Sequence, residues 1–257
     1  MAAAHRNRTL DGIRGCLAVV VMLNHVLQAC GSKALFLPAG VAVWIFFALS
    51  ACVLTRSWDG RYLQFLARRF VRLWPMYALG LGVGSLLLGI APSAQQLFWL
   101  HLANADNAPV ADPPTWSLAI EAWAMLAMPL IAWVGRASFA WLVIALLGSF
   151  ILATFNSFAL FGWFFFAGAW ASRFDLSLGL FEMKLPQWLG RISYPLYLIH
   201  VPIIWYMHLP LFVSVPLAFA AAEMLARTVE VWSIRASRAI RLTPLRAPMG
   251  EGTLQSG

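Results

Sequence analysis

The chain has 257 residues and a mass of 28.5 kDa, with 61% hydrophobic and 11% charged residues, a mean hydropathy of +0.76 and a formal net charge of +8. Soluble domains carry roughly 45–50% apolar and about 25% charged residues, so there are too few charges here to coat a water-facing exterior. This excludes a secreted mini-protein, a disordered region and a nucleic-acid-binding domain, and makes the bilayer the solvent for most of the surface.

At the N-terminus Arg6 and Arg8 precede an apolar run ending in Leu27-Gln28-Ala29-Cys30, a weak lipobox-like pattern. Asn24 and His25 interrupt that run where a cleavage site needs apolar or small residues, so the segment reads as a retained first span. Cys16, Cys30 and Cys52 all lie in apolar stretches, without CxxC spacing and in odd number, and read as small core residues rather than disulfides or metal ligands. No metal site is expected.

A membrane-crossing helix needs roughly 17–25 mainly apolar residues. Dividing the chain at its charged, Pro-rich and Asn/Asp-rich breaks gives candidate spans at 13–30, 37–55, 73–91, 117–134, 139–155, 158–173, 193–208 and 211–232. The predicted fold is therefore all-α, a polytopic transmembrane helical bundle of about eight spans, with seven to ten as bounds because several segments are short. If the N-terminus is cytoplasmic, every basic residue except Lys33 falls with a cytoplasmic segment, and the outer loop 92–116 holds Asp106 and Asp112 without Lys or Arg. The positive-inside rule then places both termini in the cytoplasm. A single integral-membrane domain is expected over 1–241, followed by a mobile cytoplasmic tail at 242–257.

The stretch 61–73 is amphipathic at a helical period, with Tyr62, Leu66, Phe70 and Leu73 on one face and Arg61, Gln64, Arg68 and Arg72 on the other. It reads either as an interfacial helix on lipid headgroups or as a phosphate-binding surface, since guanidinium forks grip phosphates bidentately. Arg69 and Arg72, three positions apart, can converge on one ligand.

Arg14 and His25 lie eleven positions apart, within about 20° of a whole number of turns and about 16 Å along the axis. They share a helix face. Polar groups inside spans usually face a bundle interior or a cavity; snorkelling of Arg14 and a structurally bonded His25 are the competing accounts. Glu121 follows Trp116-Ser117 at the outer entry to the fourth span, at about the depth of His25. A carboxylate beside a neutral imidazole suits general-base chemistry, while a buried structural His–Glu pair is the alternative. His200 lies between Pro195 and Pro202, where freed backbone carbonyls or serine hydroxyls could satisfy its ring. Walker, dinucleotide, GxSxG, HExxH and HxxxxD patterns are absent.

Several segments together resemble the acyltransferase 3 family of multi-pass membrane enzymes. Leu10-Asp11-Gly12-Ile13-Arg14-Gly15 with His25 is similar to its LDGLRG opening and Arg-x10-His motif. Phe46-Phe47-Ala48-Leu49-Ser50 resembles FFxLSG, Arg69-Phe70-Val71-Arg72 resembles RxxR, Trp116 to Glu121 resembles WSLSVE, and Ile192 to Pro202 resembles ISYxLYLIHxP. The matches fall in family order over residues 10–202. The resemblance implies transfer of an acyl group, commonly acetyl, from cytoplasmic acyl-coenzyme A to a hydroxyl of a saccharide or lipid-linked glycan, in a bacterial cytoplasmic (inner) membrane. It implies donor-binding roles for Arg14, Arg69 and Arg72 and a catalytic role for His25. Glu121 is expected to orient that ring, with Trp116, Ser117 and His200 near the substrate pocket. A covalent acyl-histidine route remains open.

The chain departs from the pattern at Ala51, where glycine is expected, and at Ala122, where a second glutamate often follows the first. Arg227-Thr228-Val229-Glu230 matches the late Arg/Glu segment only loosely. The span number is also lower than usual for the family. Competing classes are a transporter or exporter of a small anion or glycan, in which Arg, His and Glu bind or relay, and a non-catalytic membrane relative. Nucleic acid is not an expected partner.

Overall fold

A computed structural model describes residues 7–32, 38–98, 112–155 and 157–241, excepting the side chains of Ser157 and Phe158. The expected tail at 242–257, Lys33 and the 99–111 part of the polar loop lie outside the described residues. Among the described residues every regular element is helical.

The helices are α1 (Arg8–Ala29), α2 (Ala39–Ser57), α3 (Tyr62–Leu88), α4 (Ala94–Leu97), α5 (Thr115–Leu126), α6 (Met128–Arg136), α7 (Phe139–Ala153), α8 (Gly162–Ala171), α9 (Lys184–Val201), α10 (Leu211–Leu225) and α11 (Val231–Ala239). All eight apolar segments expected from sequence are helical, but several are broken differently. Four helical stretches are long and apolar enough to cross a bilayer: α1, α2, α3 and the continuous run Leu211–Ala239. Counting α5 and α6 as one broken span makes five; they meet at 72°. The break has a local cause, because Pro129 has no N–H to continue the helical ladder. The apolar helices α7 and Ala159–Ala171 are shorter.

The stretch 61–73 is not a separate interfacial helix. It forms the first turns of α3, which runs for 27 residues through Pro75 to a left-handed Gly89. Gln64 is buried and Phe70 exposed, against the amphipathic split expected from periodicity. Neighbouring helices, not a flat membrane surface, decide which side of this segment is covered.

Two apolar clusters share α1. Ala18 and Met22 pack with α3, α9 and α10, whereas Leu17 and Val21 pack with α2, α6 and α8. Helix α7 is apolar nearly all round, yet among its side chains only Leu142 and Ser149 are buried. Phe139, Ile144, Leu147 and Phe150 are exposed on it. Such a surface is stable in hydrocarbon and not in water, so the chain is a membrane protein. Cys52 is buried as expected, but Cys30 is exposed; all three cysteines are free.

Many arginines act as clips at helix ends. Arg56 donates to the carbonyls of Ser172 (2.9 Å) and Phe174 (2.5 Å), Arg136 to Trp58 (3.0 Å), Arg173 to Gly135 (2.8 Å) and Arg68 to Ile240 (3.0 Å). The last carbonyls of a helix lack intrahelical partners and carry negative partial charge, so cations satisfy them. These four arginines therefore have partners within the bundle itself.

Helices α1 and α9 cross at glycines. A Cβ added to Gly15 would overlap the backbone of Leu189 and Gly190, and one added to Gly190 would overlap the Asp11 carbonyl. Small residues at a crossing let backbones approach closely. Gly190→Ala is therefore expected to cost about 1–3 kcal/mol through overpacking, read as a lower unfolding midpoint in detergent. Gly148→Ala in α7, with open space around its Cβ position, serves as the control and should be neutral or slightly stabilising.

Candidate active site

The Gly15–Gly190 contact positions the site. Ten residues further along each helix stand His25 and His200, so equal rises of about 15 Å from a shared crossing bring them to one level. His25 Nδ1 and His200 Nε2 are 2.8 Å apart, with ring centroids 5.0 Å apart. His200 is fully buried, and its Nδ1 lies 2.9 Å from the Leu196 carbonyl.

Pro202 removes an N–H just beyond His200, and the chain continues as a π turn over Pro202–Tyr206. That turn carries Trp205, whose indole N–H donates to the His25 carbonyl at 3.1 Å and whose ring stands edge-on to the His25 ring at 5.3 Å. Trp205 also lines a cleft of about 580 Å³ with Gln28, Ala29, Ile204, His208, Leu209 and Leu211. Trp205 thus touches His25 and also lines the cleft.

Glu121 does not pair with His25. Its Oε1 accepts from Arg69 at 2.6 Å and from Ser50 Oγ at 2.6 Å. Matching depths along two helices said nothing about rotation or lateral position, and Arg69, which reaches across from α3, captures the carboxylate. The ring partner expected of Glu121 is instead His200.

The three arginines expected to act together do converge. Arg14, Arg69 and Arg72 lie within electrostatic reach of one another and of Glu121 and Glu230. Arg14 also pairs with Asp11 at 3.6 Å. Arg69 Nε is buried without a hydrogen-bond partner, and Arg72 is exposed and makes no hydrogen bond or ion pair with a described residue. These donors fit an anionic group such as phosphate.

Polar side chains stand between the arginines and the histidines, with one hydrogen bond among them. Glu121 stands one turn from Ser117 on α5, and Ser117 Oγ is 2.8 Å from Tyr197 Oη. Tyr197 is one turn before His200 on α9, with ring centroids 6.1 Å apart. Ser117 and Tyr197 both also reach the Pro114 carbonyl. Trp116 is not one of them; it packs against Phe47 and Phe161.

Sequence reasoning missed Ser50, Tyr197, Trp205, Glu230 and Asp112. Ser50, Tyr197 and Glu230 each stood inside a segment already noted, and what they lacked was a visible partner. Asp112 precedes α5, fully buried, with neither carboxylate oxygen bonded to a described residue. Burial holds its carboxyl well above the usual carboxylate range.

An apolar helical bundle that holds guanidinium groups, a carboxylate and a histidine pair defines a membrane enzyme of the acyl-transfer class once its sequence relatives are set beside it. The chain belongs to the acyltransferase 3 family, whose profile, described as an acyltransferase domain, matches residues 7–186. It is also similar to "Protein 2 in picA locus" of Rhizobium radiobacter, 37% identical over 83 residues, covering 29% of this chain and 41% of that protein. The match thus spans less than half the length of that relative. No solved structure matches the chain.

Proposed function

We propose that this acyltransferase moves an acyl group, commonly acetyl, from cytoplasmic acyl-coenzyme A to a hydroxyl of a saccharide or lipid-linked glycan, with His25 as general base. The observation that carries this reading is the His25–His200 hydrogen bond in the interior of a bundle that also gathers Arg14, Arg69 and Arg72, with open donors on Arg69 and Arg72. The donor supplies an activated thioester and a phosphate-rich head. Arg72 and Arg69, with Arg14 beside them, hold phosphates through charge-assisted hydrogen bonds. His25 takes the proton of the acceptor hydroxyl as its oxygen attacks the acyl carbon. It returns that proton to the departing thiolate when the C–S bond breaks.

The cleft lined by Trp205 offers an aromatic side chain, the Gln28 amide and the His208 ring, groups suited to a sugar acceptor. The reading further takes the bundle as crossing a bacterial inner membrane eight times, with α5–α6 as one bent span and both termini cytoplasmic. Glu121 then acts on the donor side, holding Arg69 in place.

Purified protein in detergent or lipid discs should release free thiol from acetyl-coenzyme A when given a glycan acceptor panel. Arg72→Gln should raise the KM for acetyl-coenzyme A by about tenfold to a hundredfold, the loss expected for one hydrogen-bonded charged contact. Transport of a glycan or anion without thiol release, in protein that does not bind coenzyme A, would replace this reading with a transporter.

A further inference from the structure

We propose that His200 is a positioning residue that fixes the tautomer of His25, placing its hydrogen on Nδ1 and leaving the basic lone pair on Nε2. The catalytic meaning of this rests on the general-base reading above; the tautomer itself does not.

The argument follows from hydrogen-bond inventory. The Leu196 carbonyl can only accept, so His200 Nδ1, 2.9 Å away, must carry a hydrogen. In a neutral ring the other nitrogen, Nε2, then holds a lone pair. His25 Nδ1 lies 2.8 Å from that nitrogen, so it must be the donor. The His25 ring is left with an unprotonated Nε2, the atom that a general base requires.

The inverse arrangement would need a doubly protonated His200 donating to His25. That places a cation in a fully buried site whose hydrogen-bond partners are the backbone of Leu196 and Tyr197 and another imidazole, without a carboxylate, and such a charge is costly to bury. The arrangement differs from a carboxylate–histidine pair in one respect. A neutral imidazole steers the tautomer without adding negative charge, and its bond to His25 tightens only when His25 becomes cationic. The Trp205 N–H to the His25 carbonyl and the edge-on indole hold the same turn and ring in register.

Two substitutions separate positioning from packing. His200→Gln places an amide oxygen near the position of Nε2 and can still accept from His25. His200→Asn can keep the bond to Leu196 but is too short to reach His25. Nitrogen-15 NMR of histidine-labelled full-length protein reads the tautomer directly, with His25 signals assigned by their loss in His25→Asn. The expected wild-type spectrum shows His25 protonated at Nδ1 and bare at Nε2. In His200→Asn the His25 signals should shift to a mixture of tautomers, with kcat for thiol release reduced about tenfold to a hundredfold, less than the loss of the general base itself, and the KM for acetyl-coenzyme A nearly unchanged. His200→Gln should restore the wild-type tautomer and most of kcat.

A wild-type His25 protonated at Nε2 would overturn the proposal whether or not the protein turns over. So would an unchanged tautomer in His200→Asn, or equal kcat in the Asn and Gln variants. Absence of thiol release from wild-type protein with the expected tautomer would instead remove the acyl-transfer chemistry and leave the positioning relation standing.

Discussion

His25→Gln is expected to lower kcat for thiol release by about 10²–10⁴-fold, the range associated with a positioned general base. Glutamine keeps a similar volume, so the α1–α9 contact should survive even though its amide stands near the position of Nε2 and not of the Nδ1 that faces His200. What it loses is a basic lone pair. Because Arg14 lies some three turns from His25 along α1, and Arg69 and Arg72 beside it belong to α3, coenzyme A affinity should change by no more than about twofold on this argument. Steady-state thiol release at saturating acceptor, with coenzyme A binding by calorimetry, separates the two. A His25→Gln protein with wild-type kcat would remove His25 from the chemistry, and one that lost coenzyme A binding as well would point to disruption of the bundle.

The second large effect concerns stability. Arg69 and Glu121 form an ion pair at 2.6 Å, with side-chain exposures of only 14% and 18%, and Ser50 donates to the same oxygen. Removing one member of a buried pair leaves an uncompensated charge and costs about 3–5 kcal/mol, whereas removing both with apolar residues is often nearly neutral. Because this pair is only partly buried, Glu121→Leu is expected to lose about 1–3 kcal/mol of stability, lowering the unfolding midpoint. The double variant Glu121→Leu/Arg69→Leu should recover most of that loss. Equal destabilisation in the single and double variants would show that Glu121 contributes through packing or through Ser50, not through Arg69. Activity should not recover in the double variant, since Arg69 is also one of the proposed phosphate donors.

The contrast between these two residues shows how far the sequence could be followed. The His25 position was legible because a polar ring inside an apolar run is costly and therefore conspicuous, and its periodicity with Arg14 placed both on one face. Glu121 was conspicuous for the same reason, but its partner was misread. Depth along a helix follows from counting residues, whereas azimuth and neighbour follow from packing between helices distant in the chain. Arg69 was visible as a charge and as part of a spaced arginine pair. That one of its nitrogens would satisfy Glu121 while Nε stayed unbonded was not.

Breaks in the helices divide similarly. Pro202 signals an interruption, because a missing N–H is a local fact. That the interruption becomes a π turn, and that this turn aims Trp205 at His25, depends on what lies alongside. The arginines at helix ends were legible as a one-sided charge distribution, but their work as carbonyl clips was not. Their partners sit on other helices, as Arg56 does with Ser172 and Phe174.

By itself, then, the sequence determined the solvent of this protein, its helical class, the approximate location of its apolar segments and the identity of its costly polar residues. Those properties depend on composition and on periodicity along one segment. Only the tertiary structure decided which polar residues meet: His25 with His200 rather than Glu121, and Glu121 with Arg69 and Ser50. The physical reason lies in the Gly15–Gly190 crossing, where two backbones that lack side chains approach closely and two histidines, ten residues on, are carried into hydrogen-bond contact.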